Sequence, residues 1–399
     1  MERLRRVVNG IAYAPNPSKL PPLSRSLLPL LSIASTLYKL ALSLRRSLYH
    51  HRFFQIYRLA VPVISVGNLT WGGNGKTPMV EFIALYFSQS RISPLILSRG
   101  YGGGDEVNML RRHLLGTPTK FGIGANRAAV ASHFIQKYGY IDISKRSWYE
   151  KQYHDQKLPD SLESEKIGVV VLDDAMQHWS LGRDLEIVMV NGLTLWGNCQ
   201  LLPLGPLREP LNALRRADVV VIHHADLVSE HILEDIESVV HGIKKSVSIF
   251  LTKMDPTYLF EVGIINAKIP LTLLQKATVL CVSAIGSAEP FVKQIQKMGA
   301  HYVDRVDFSD HHRFNARDIE MIRARLGELE VKFGSKPIVV VTEKDYDRDP
   351  KILKQMSPFK VFVVCSTLKV LPYKGSTEDS FKKLLKDQLK LELPPANMS

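Results

Sequence analysis

The sequence predicts an α/β protein with a mostly parallel sheet and helices on both faces. Short apolar runs alternate with helical patterns along the chain, which is typical of parallel sheets covered on both sides. A glycine-rich turn follows the first apolar run, and polar residues follow three later ones. These turns fall at the carboxyl ends of the predicted strands, where such sheets bind their ligands.

The first domain is predicted over residues 59–258. Val61–Val66 has the pattern of a buried strand, and a helix is expected from about Lys76 to Ser88. A second helix is predicted in GANRAAVASHFIQKYG, and further strands in SPLILSRG, IGVVVLDD, LEIVMVNG and ADVVVIHH. Residues 140–165 are polar and aperiodic, so we expect an inserted surface loop there.

The second domain is predicted over residues 259–399. The alternating pattern restarts near residue 260, with strands expected in ATVLCVSA, HYVDRVDF, KPIVVVTEKD and FKVFVVCS. This part of the chain therefore predicts a second, smaller α/β domain. Three cysteines, Cys199, Cys281 and Cys365, lie far apart in sequence, which suits a reducing compartment and makes a structural zinc site unexpected.

Positive charge is concentrated at the N-terminus. Residues 1–80 contain eleven Lys or Arg and one acid, a balance of +10, whereas the whole chain of 399 residues carries +13. Because a nucleic-acid-binding protein more often spreads its basic residues over the folded body, we expect a membrane surface or a targeting signal instead. Residues 1–20 have the composition of an organellar transit segment, with an ordinary frayed terminus as the alternative.

Residues 21–58 predict a basic amphipathic helix that associates with a membrane surface. The predicted apolar face consists of Leu30, Ala34, Leu37, Ala41, Leu44 and Leu48, and the polar face of Ser32, Ser35, Thr36, Lys39, Ser43, Arg46, Ser47 and His50. Lys39 interrupts a membrane span and Pro29 limits its start, so we expect the helix to lie in the interface. Arg45, Arg46 and Arg52 would then be near anionic headgroups. The alternative is a helix packed on the domain core.

The turn GGNGKT has the chemistry of a phosphate-binding loop. Its three glycines allow backbone N–H groups to point inward, the lysine reaches the β and γ phosphates, and the threonine hydroxyl can bind Mg²⁺. Thr70 stands where the usual pattern has a glycine, and the adjacent glycines can make the turn. The predicted ATP-binding residues are Thr70, Trp71, Gly72, Gly73, Asn74, Gly75, Lys76 and Thr77.

Paired carboxylates occur at two places. Asp173 and Asp174 end an apolar strand, where a nucleotide-binding fold holds Mg²⁺ or a water bound to it, although acids also occur at strand ends for solvation. Asp105 and Glu106 follow SRGYGGG and are expected in a flexible loop. The segments FSDHHRF and VTEKD would not be singled out alone; the second could simply cap a helix.

Taken in order, VGNLTWGGNGKTP, SRGYGG, GDE, DDAMQHWSLGRDLEIV, GNCQLLPLGPLREP, FSDHHRF and VTEKD resemble the tetraacyldisaccharide 4'-kinase family. The resemblance runs from about Ser26 to about Asp345. It implies transfer of the γ-phosphate of ATP to the 4'-hydroxyl of an acylated glucosamine disaccharide 1-phosphate, giving lipid IVA, at a membrane and with Mg²⁺. It also implies a P-loop NTPase-like first domain, and catalysis in the cleft between two domains.

The resemblance also implies residue roles. Asp105 is similar to the proposed general base, and His311 would hold and tune it. Lys76 would bind the phosphates. The residues implied around Mg²⁺ are Thr77, Glu106, Asp173 and Asp174. Arg208 is a candidate contact for a phosphate of either substrate.

Two departures from the family pattern stand out. Ala175 replaces a glycine in DDAMQH, and Asn191 replaces an aspartate in VMVNG, which would put activity in doubt if that aspartate were an essential ligand. The insertion at 140–165 and the Arg-rich start predict an organellar member, most simply mitochondrial. The cytoplasmic face of a bacterial inner membrane is the alternative location.

Two other functions stay open at this stage. A membrane-recruited nucleotide switch would bind a protein partner and transfer phosphate only to water; LTKMDP, taken as a strand end, resembles a guanine-reading motif. An inactive descendant kept for binding is the other possibility.

Overall fold

The computed structural model describes residues 2–14, 20–100, 104–141 and 165–388. Most of the predicted inserted loop, and part of the predicted transit segment, lie outside these residues. The chain forms two compact units. The first comprises Met1–Arg99, Leu114–Lys253 and Val370–Ser399, and the second comprises Gly100–His113 and Met254–Lys369.

The helices and strands are numbered along the chain. The α-helices are α1 Glu2–Ala12, α2 Pro22–His50, α3 Lys76–Gln89, α4 Asp105–His113, α5 Arg127–Tyr138, α6 Glu230–Ile243, α7 Glu289–Lys297, α8 Ala316–Phe333, α9 Glu343–Arg348, α10 Pro350–Leu353 and α11 Glu378–Gln388. The strands are β1 Val63–Asn68, β2 Ser93–Ser98, β3 Lys120–Ile123, β4 Ile167–Asp173, β5 Leu185–Asn191, β6 Val219–His223, β7 Ser248–Glu261, β8 Ile264–Ile269, β9 Thr278–Ser283, β10 Tyr302–Asp307, β11 Ile338–Thr342 and β12 Val361–Leu371. Short 3₁₀ helices occupy Leu211–Arg216, Ala225–Leu227, Leu271–Leu274 and Lys354–Met356.

The first unit contains a parallel sheet with strands in the order β7-β6-β5-β1-β4-β2-β3. Every residue of β1, β2, β4, β5 and β6 is buried. Packed helices cause this burial: α6 packs on an apolar cluster that includes Val188 and Val220, α5 packs on a cluster that includes Val63 and Val170, and α3 lies against β1, β2 and β4. The predicted mostly parallel α/β sheet is confirmed.

The second unit has its own apolar cores. Strands β10, β9, β11 and β12 follow one another in parallel register, β7 lies next to β12, and β8 pairs with β7 in antiparallel fashion. Helix α8 is capped by Asn315 and Asp318, whose side chains and backbone N–H groups bond reciprocally, and its apolar side packs on the sheet. Thr342 caps α9, as the sequence allowed.

Helix α2 forms, but it contacts the first unit through a stripe that the sequence did not predict. Ser35 Oγ donates to the Leu201 carbonyl at 3.0 Å, Tyr38 Oη to the Arg208 carbonyl at 2.8 Å, and Arg45 Nη2 to the Gln177 carbonyl at 2.9 Å. These residues recur at helical spacing; Ser35 belongs to the predicted polar face, whereas Tyr38 and Arg45 were assigned to neither face. Pro29 lies inside the helix rather than limiting its start. Arg45 faces the protein, so its predicted place near headgroups is wrong.

Candidate active site

The predicted phosphate loop, residues 70–77, begins after β1 and runs into the first turn of α3 in the first unit. Gly75 directly precedes α3 and has φ 78°, in the left-handed region that glycine favours. A Cβ atom there would be 2.5 Å from the ring of His223, which makes a larger residue impossible without a shift. Two independent constraints, conformation and space, therefore require glycine before Lys76.

Side chains of the loop close its turn. Asn74 Nδ2 donates to the carbonyls of Thr70 and Gly72, both at 3.1 Å, and the Thr70 hydroxyl donates to Asn74 Oδ1 at 3.3 Å. Thr70 and Asn74 are buried. Trp71 is fixed by its backbone, whose N–H donates to the Pro206 carbonyl at 3.0 Å. Thr70 thus contributes a hydrogen bond that a glycine at this position could not make.

Lys76 contacts one of the paired aspartates. Its Nζ atom is 3.8 Å from Asp174 Oδ1, and Arg208 Nη2 donates to Asp174 Oδ2 at 2.9 Å. Burial alone would raise the pKa of Asp174, but the charges of Lys76, Arg208 and Arg127 hold it well below its ordinary value. Asp174 is therefore ionised. It pairs with Lys76 and Arg208, the two cations that the sequence analysis assigned to phosphate.

The first unit offers oxygen donors of the kind that Mg²⁺ prefers. Asp173 is buried at the end of β4, where its register partner on the neighbouring strand is Val66, and Thr77 is buried in the first turn of α3. No group of three or more acidic, His or Cys side chains suited to a metal occurs among the described residues. Because Mg²⁺ in kinases is held by one or two carboxylates plus substrate phosphates, these donors fit a nucleotide-bound ion better than a protein cage.

Asp105 and His311, predicted as catalytic partners, lie together in the second unit. His311 Nδ1 is 3.1 Å from Asp105 Oδ2, and the same oxygen accepts from Arg348 Nε at 3.1 Å and Nη2 at 2.8 Å. Asp105 is the first residue of α4, so the prediction of a flexible loop for it and Glu106 is wrong. Burial pushes the pKa of Asp105 upward, but His311, Lys344 and Arg348 outweigh it and lower the pKa.

The second nitrogen of His311 faces charged groups of the same unit. His311 Nε2 is 3.5 Å from Lys344 Nζ and 3.7 Å from Asp310 Oδ2. Lys344 Nζ is also 3.1 Å from Glu106 Oε1, so this predicted metal ligand is paired with a cation. When His311 donates its Nδ1 proton to Asp105, Nε2 is the ring nitrogen that can accept a proton.

Comparison with known proteins decides the family. The family described as "Tetraacyldisaccharide-1-P 4'-kinase" matches residues 27–390. The chain belongs to this tetraacyldisaccharide 4'-kinase family. It is 57% identical, over 96% of its length and 97% of the relative, to a probable mitochondrial tetraacyldisaccharide 4'-kinase of Arabidopsis thaliana. It is 31% identical, over 79% of its length and 81% of the relative, to the tetraacyldisaccharide 4'-kinase of Halothermothrix orenii.

A solved structure supports the kinase fold. The chain is similar, with a TM-score of 0.59 and 23% identity over 92% of its length and 99% of that chain, to the "apo" form of LpxK from Aquifex aeolicus in complex with ATP. The family assignment thus rests on sequence similarity, and the structural similarity supports the fold.

The two departures from the pattern of the 4'-kinase family have structural explanations. Ala175 is fully buried in an apolar cluster, and its N–H donates to the Val66 carbonyl at 3.3 Å, so the methyl group is accommodated. Asn191 ends β5, and its Nδ2 donates to the Gly73 carbonyl at 2.8 Å. Asn191 therefore contacts the phosphate loop directly.

Sequence reasoning missed the residues that support the predicted ones. Arg348 and Lys344 surround Asp105 and His311, and His223 lies against Gly75. Lys344 lies inside the VTEKD motif, and His223 ends a predicted strand, so their positions in the sequence could have identified both as candidates. Arg348 had none, because its partners are far away in sequence.

Proposed function

We propose that the protein is an ATP-dependent lipid kinase that phosphorylates the 4'-hydroxyl of a tetraacyldisaccharide 1-phosphate to give lipid IVA. The observation that carries this proposal is a glycine-dependent phosphate loop with Lys76 in a chain of the 4'-kinase family. The loop N–H groups and Lys76 would bind the triphosphate and neutralise charge on the transferred group. On binding, phosphate oxygens would replace Asp174 as the partner of Lys76.

We propose that Thr77, Asp173 and Asp174 hold the nucleotide's Mg²⁺. When bound, the ion would offset negative charge on the β and γ phosphates. Arg208 already binds Asp174, so its proposed role is to fix that carboxylate, and a direct phosphate contact is secondary. In this chain the hydroxyl of Thr77 and the two carboxylates supply the oxygen ligands.

The contacts favour His311 over Asp105 as the group that takes the proton from the sugar hydroxyl. Asp105 Oδ2 already accepts from His311 and twice from Arg348, and its lowered pKa makes it a weak base. His311 Nε2, by contrast, has one long contact with a donor, Lys344 Nζ at 3.5 Å, and the sugar hydroxyl would take the place of that contact at its lone pair. Asp105 would fix the tautomer of His311, the reverse of the roles that the resemblance implies.

The acceptor's polar headgroup has a candidate place in the first unit. A cavity of about 410 Å³ lies between α2 and the segment 199–212, and its lining includes Ser32, Thr36, Lys39, Gln200 and Asn212. Hydroxyls, amides and one cation suit a phosphorylated sugar. Cys199 also lines the cavity and is exposed, whereas Cys281 and Cys365 are buried. Bound disaccharide 1-phosphate should therefore slow alkylation of Cys199; unchanged labelling would contradict this place.

We propose that α2 attaches the protein to a membrane. It is 29 residues long and apolar enough to cross a membrane by length and composition, and only 6% of its most apolar window is buried. Large apolar side chains exposed by more than 60% run along its outer side: Leu30, Ile33, Leu37, Leu40 and Leu44. Such a face is stable in a bilayer interface and unfavourable in water.

A pair of variants tests the membrane attachment. Leu40→Glu should reduce binding to vesicles of mixed zwitterionic and anionic lipids, because it places a charge on the face that would be buried. Val331→Glu makes the same kind of change at a residue of α8 that is 88% exposed. Equal vesicle binding by the two variants would contradict the proposal. The name of the Arabidopsis relative leads us to propose a mitochondrial location, testable by organelle fractionation.

The kinase assay separates this function from a nucleotide switch. Purified protein, ATP labelled in the γ position and a disaccharide 1-phosphate acceptor in detergent should give labelled lipid. Free labelled phosphate alone would favour the switch. The sequence support for a switch, the LTKMDP motif, is weakened because Thr252 and Asp255 lie within β7 rather than at a strand end. In addition, Asp255 is 2.6 Å from Lys369.

A further inference from the structure

We propose that Asn191 and His223 are positioning residues that hold the phosphate loop in its anion-binding conformation. This inference rests on the proposed binding of ATP by that loop. The two residues end neighbouring strands, β5 and β6, and are partners in their register. Both are buried, and each contacts a different glycine of the loop: Asn191 contacts Gly73, and His223 lies against Gly75.

Both polar groups of the Asn191 side chain are used. Its Nδ2 donates to the Gly73 carbonyl at 2.8 Å, and its Oδ1 accepts from the Leu193 N–H at 2.9 Å. The second contact fixes which end of the amide faces the loop, because only an oxygen can accept from a backbone N–H. The side chain therefore presents a donor to Gly73.

The hydrogen bond from Asn191 to the Gly73 carbonyl also fixes the direction of the next N–H group, that of Asn74. In a planar trans peptide the carbonyl of one residue and the N–H of the next point in opposite directions. Because Asn191 holds the Gly73 carbonyl, the N–H of Asn74 points away from Asn191. An anion-binding loop needs its N–H groups directed inward at the phosphate, and a carbonyl turned inward would repel it.

His223 acts by shape and neutrality. Its ring stands where a Cβ of Gly75 would be, and its Nδ1 is 3.0 Å from the Thr252 hydroxyl, which fixes the ring plane. Complete burial, together with His224, lowers the pKa of His223 well below its ordinary value, so the ring is neutral. It thus supports the left-handed Gly75 without adding a charge beneath the phosphate site.

The sharpest test replaces the Asn191 amide by an apolar group of similar size, because aspartate is the residue of the family pattern at this position. In Asn191→Leu the donor facing the Gly73 carbonyl is lost, and the peptide is free to turn. Loss of a buried hydrogen bond that leaves this carbonyl without its partner predicts ATP affinity lower by roughly tenfold or more. The KM for ATP should rise while the KM for the lipid acceptor stays within about twofold, a split that general destabilisation does not produce.

Asn198→Leu is the matched control. Asn198 makes the same kind of contacts, with Nδ2 donating to the Leu204 carbonyl at 2.9 Å and Oδ1 accepting from the Gln200 N–H at 3.0 Å. It does not contact the phosphate loop. Calorimetric titration of ATP into both variants, each first checked for folding by circular dichroism, should show the loss only in Asn191→Leu. Equal affinities would overturn the role of Asn191.

A second pair tests His223. Gly75→Ala should abolish measurable ATP binding, since the added methyl meets the His223 ring. Adding His223→Ala removes that contact and should restore part of the affinity, although the backbone strain stays. If the double variant is no better than Gly75→Ala, the role of His223 is refuted.

The outcomes distinguish this inference from the proposed function. Failure of the wild-type protein to bind ATP, or undiminished binding by Lys76→Ala, would remove the proposed function itself. If wild type binds ATP tightly and Asn191→Leu binds it as well as Asn198→Leu does, the proposed kinase function stands and only the positioning role of Asn191 is removed.

Discussion

Arg348→Met should unfold the second unit more readily than any exposed ion-pair change. Arg348 is 2% exposed and donates to Asp105 Oδ2 and Asp345 Oδ1, each at 2.8 Å, while both carboxylates are fully buried. It also donates to the carbonyls of Ala284 and His312, both at 3.1 Å. Methionine keeps the apolar volume but leaves two buried carboxylates without their shared cation.

The magnitude follows from which contacts survive. Asp105 keeps His311 at 3.1 Å, and Asp345 keeps the Thr342 hydroxyl at 2.7 Å and the Ala284 N–H at 3.0 Å. Each carboxylate keeps at least one hydrogen-bond partner. The effect should therefore match the loss of one buried ion pair, about 3–5 kcal/mol of unfolding free energy. Urea denaturation followed by circular dichroism measures it.

Two controls define what would refute this reasoning. Arg305→Met removes an exposed pair to Glu289 and Asp307 in the same unit, where about 0.2–1 kcal/mol is expected. Asp105→Asn in the Arg348→Met background removes one buried charge and should recover part of the loss. If Arg348→Met is no worse than Arg305→Met, or if Asp105→Asn deepens the loss, burial of this charge cluster does not determine its stability.

Three further predictions concern catalysis and pH. His311→Ala should lower turnover by about 10²–10⁴-fold with ATP affinity little changed, whereas Lys76→Ala should damage both; calorimetry and steady-state kinetics check this, and a His311→Ala enzyme with normal turnover contradicts it. Burial lowers the pKa of His224 from 6.5 to about 4, so the ring stays neutral in the fold while the unfolded chain takes up a proton. Stability should therefore fall as the pH drops from about 6.5 to about 4, by up to about 1.4 kcal/mol per pH unit for this group, and an unchanged slope in His224→Asn would contradict the assignment. The lowered pKa of Asp105 has its effect in more acidic solution: its stabilisation is complete above about 3.9, the ordinary aspartate value, and is lost as the pH falls through the lower folded value, so Asp105→Asn should be less sensitive to acid in urea titrations than wild type.

The elements that the sequence predicted well are those with local signals. The glycine turn between β1 and α3 was predictable because backbone conformation at Gly75 and the chemistry of Lys76 are both properties of adjacent residues. Strand ends carrying Asp173, Asn191 and His223 were likewise visible as polar residues after apolar runs.

The missed features depend on contacts between distant residues. The periodicity of α2 identified an apolar and a polar side, but not the stripe of Ser35, Tyr38 and Arg45 that finds carbonyl partners around residues 177–208. Arg348 lies 243 positions from Asp105 in the chain, so no spacing rule connects them. From the sequence, Asn191 was interpreted as the possible loss of an essential aspartate ligand. The structure shows instead that its amide donates to the Gly73 carbonyl, a contact that the sequence could not reveal.

The central claim is transfer of a phosphoryl group from ATP to a membrane-held sugar alcohol. The direct measurement is incubation of γ-labelled ATP and Mg²⁺ with a tetraacyldisaccharide 1-phosphate, followed by mass spectrometry and NMR of the lipid product. Wild-type protein should add one phosphate on the 4'-oxygen, and Lys76→Ala should add none. Label only in free phosphate, or equal lipid labelling by both proteins, would contradict it.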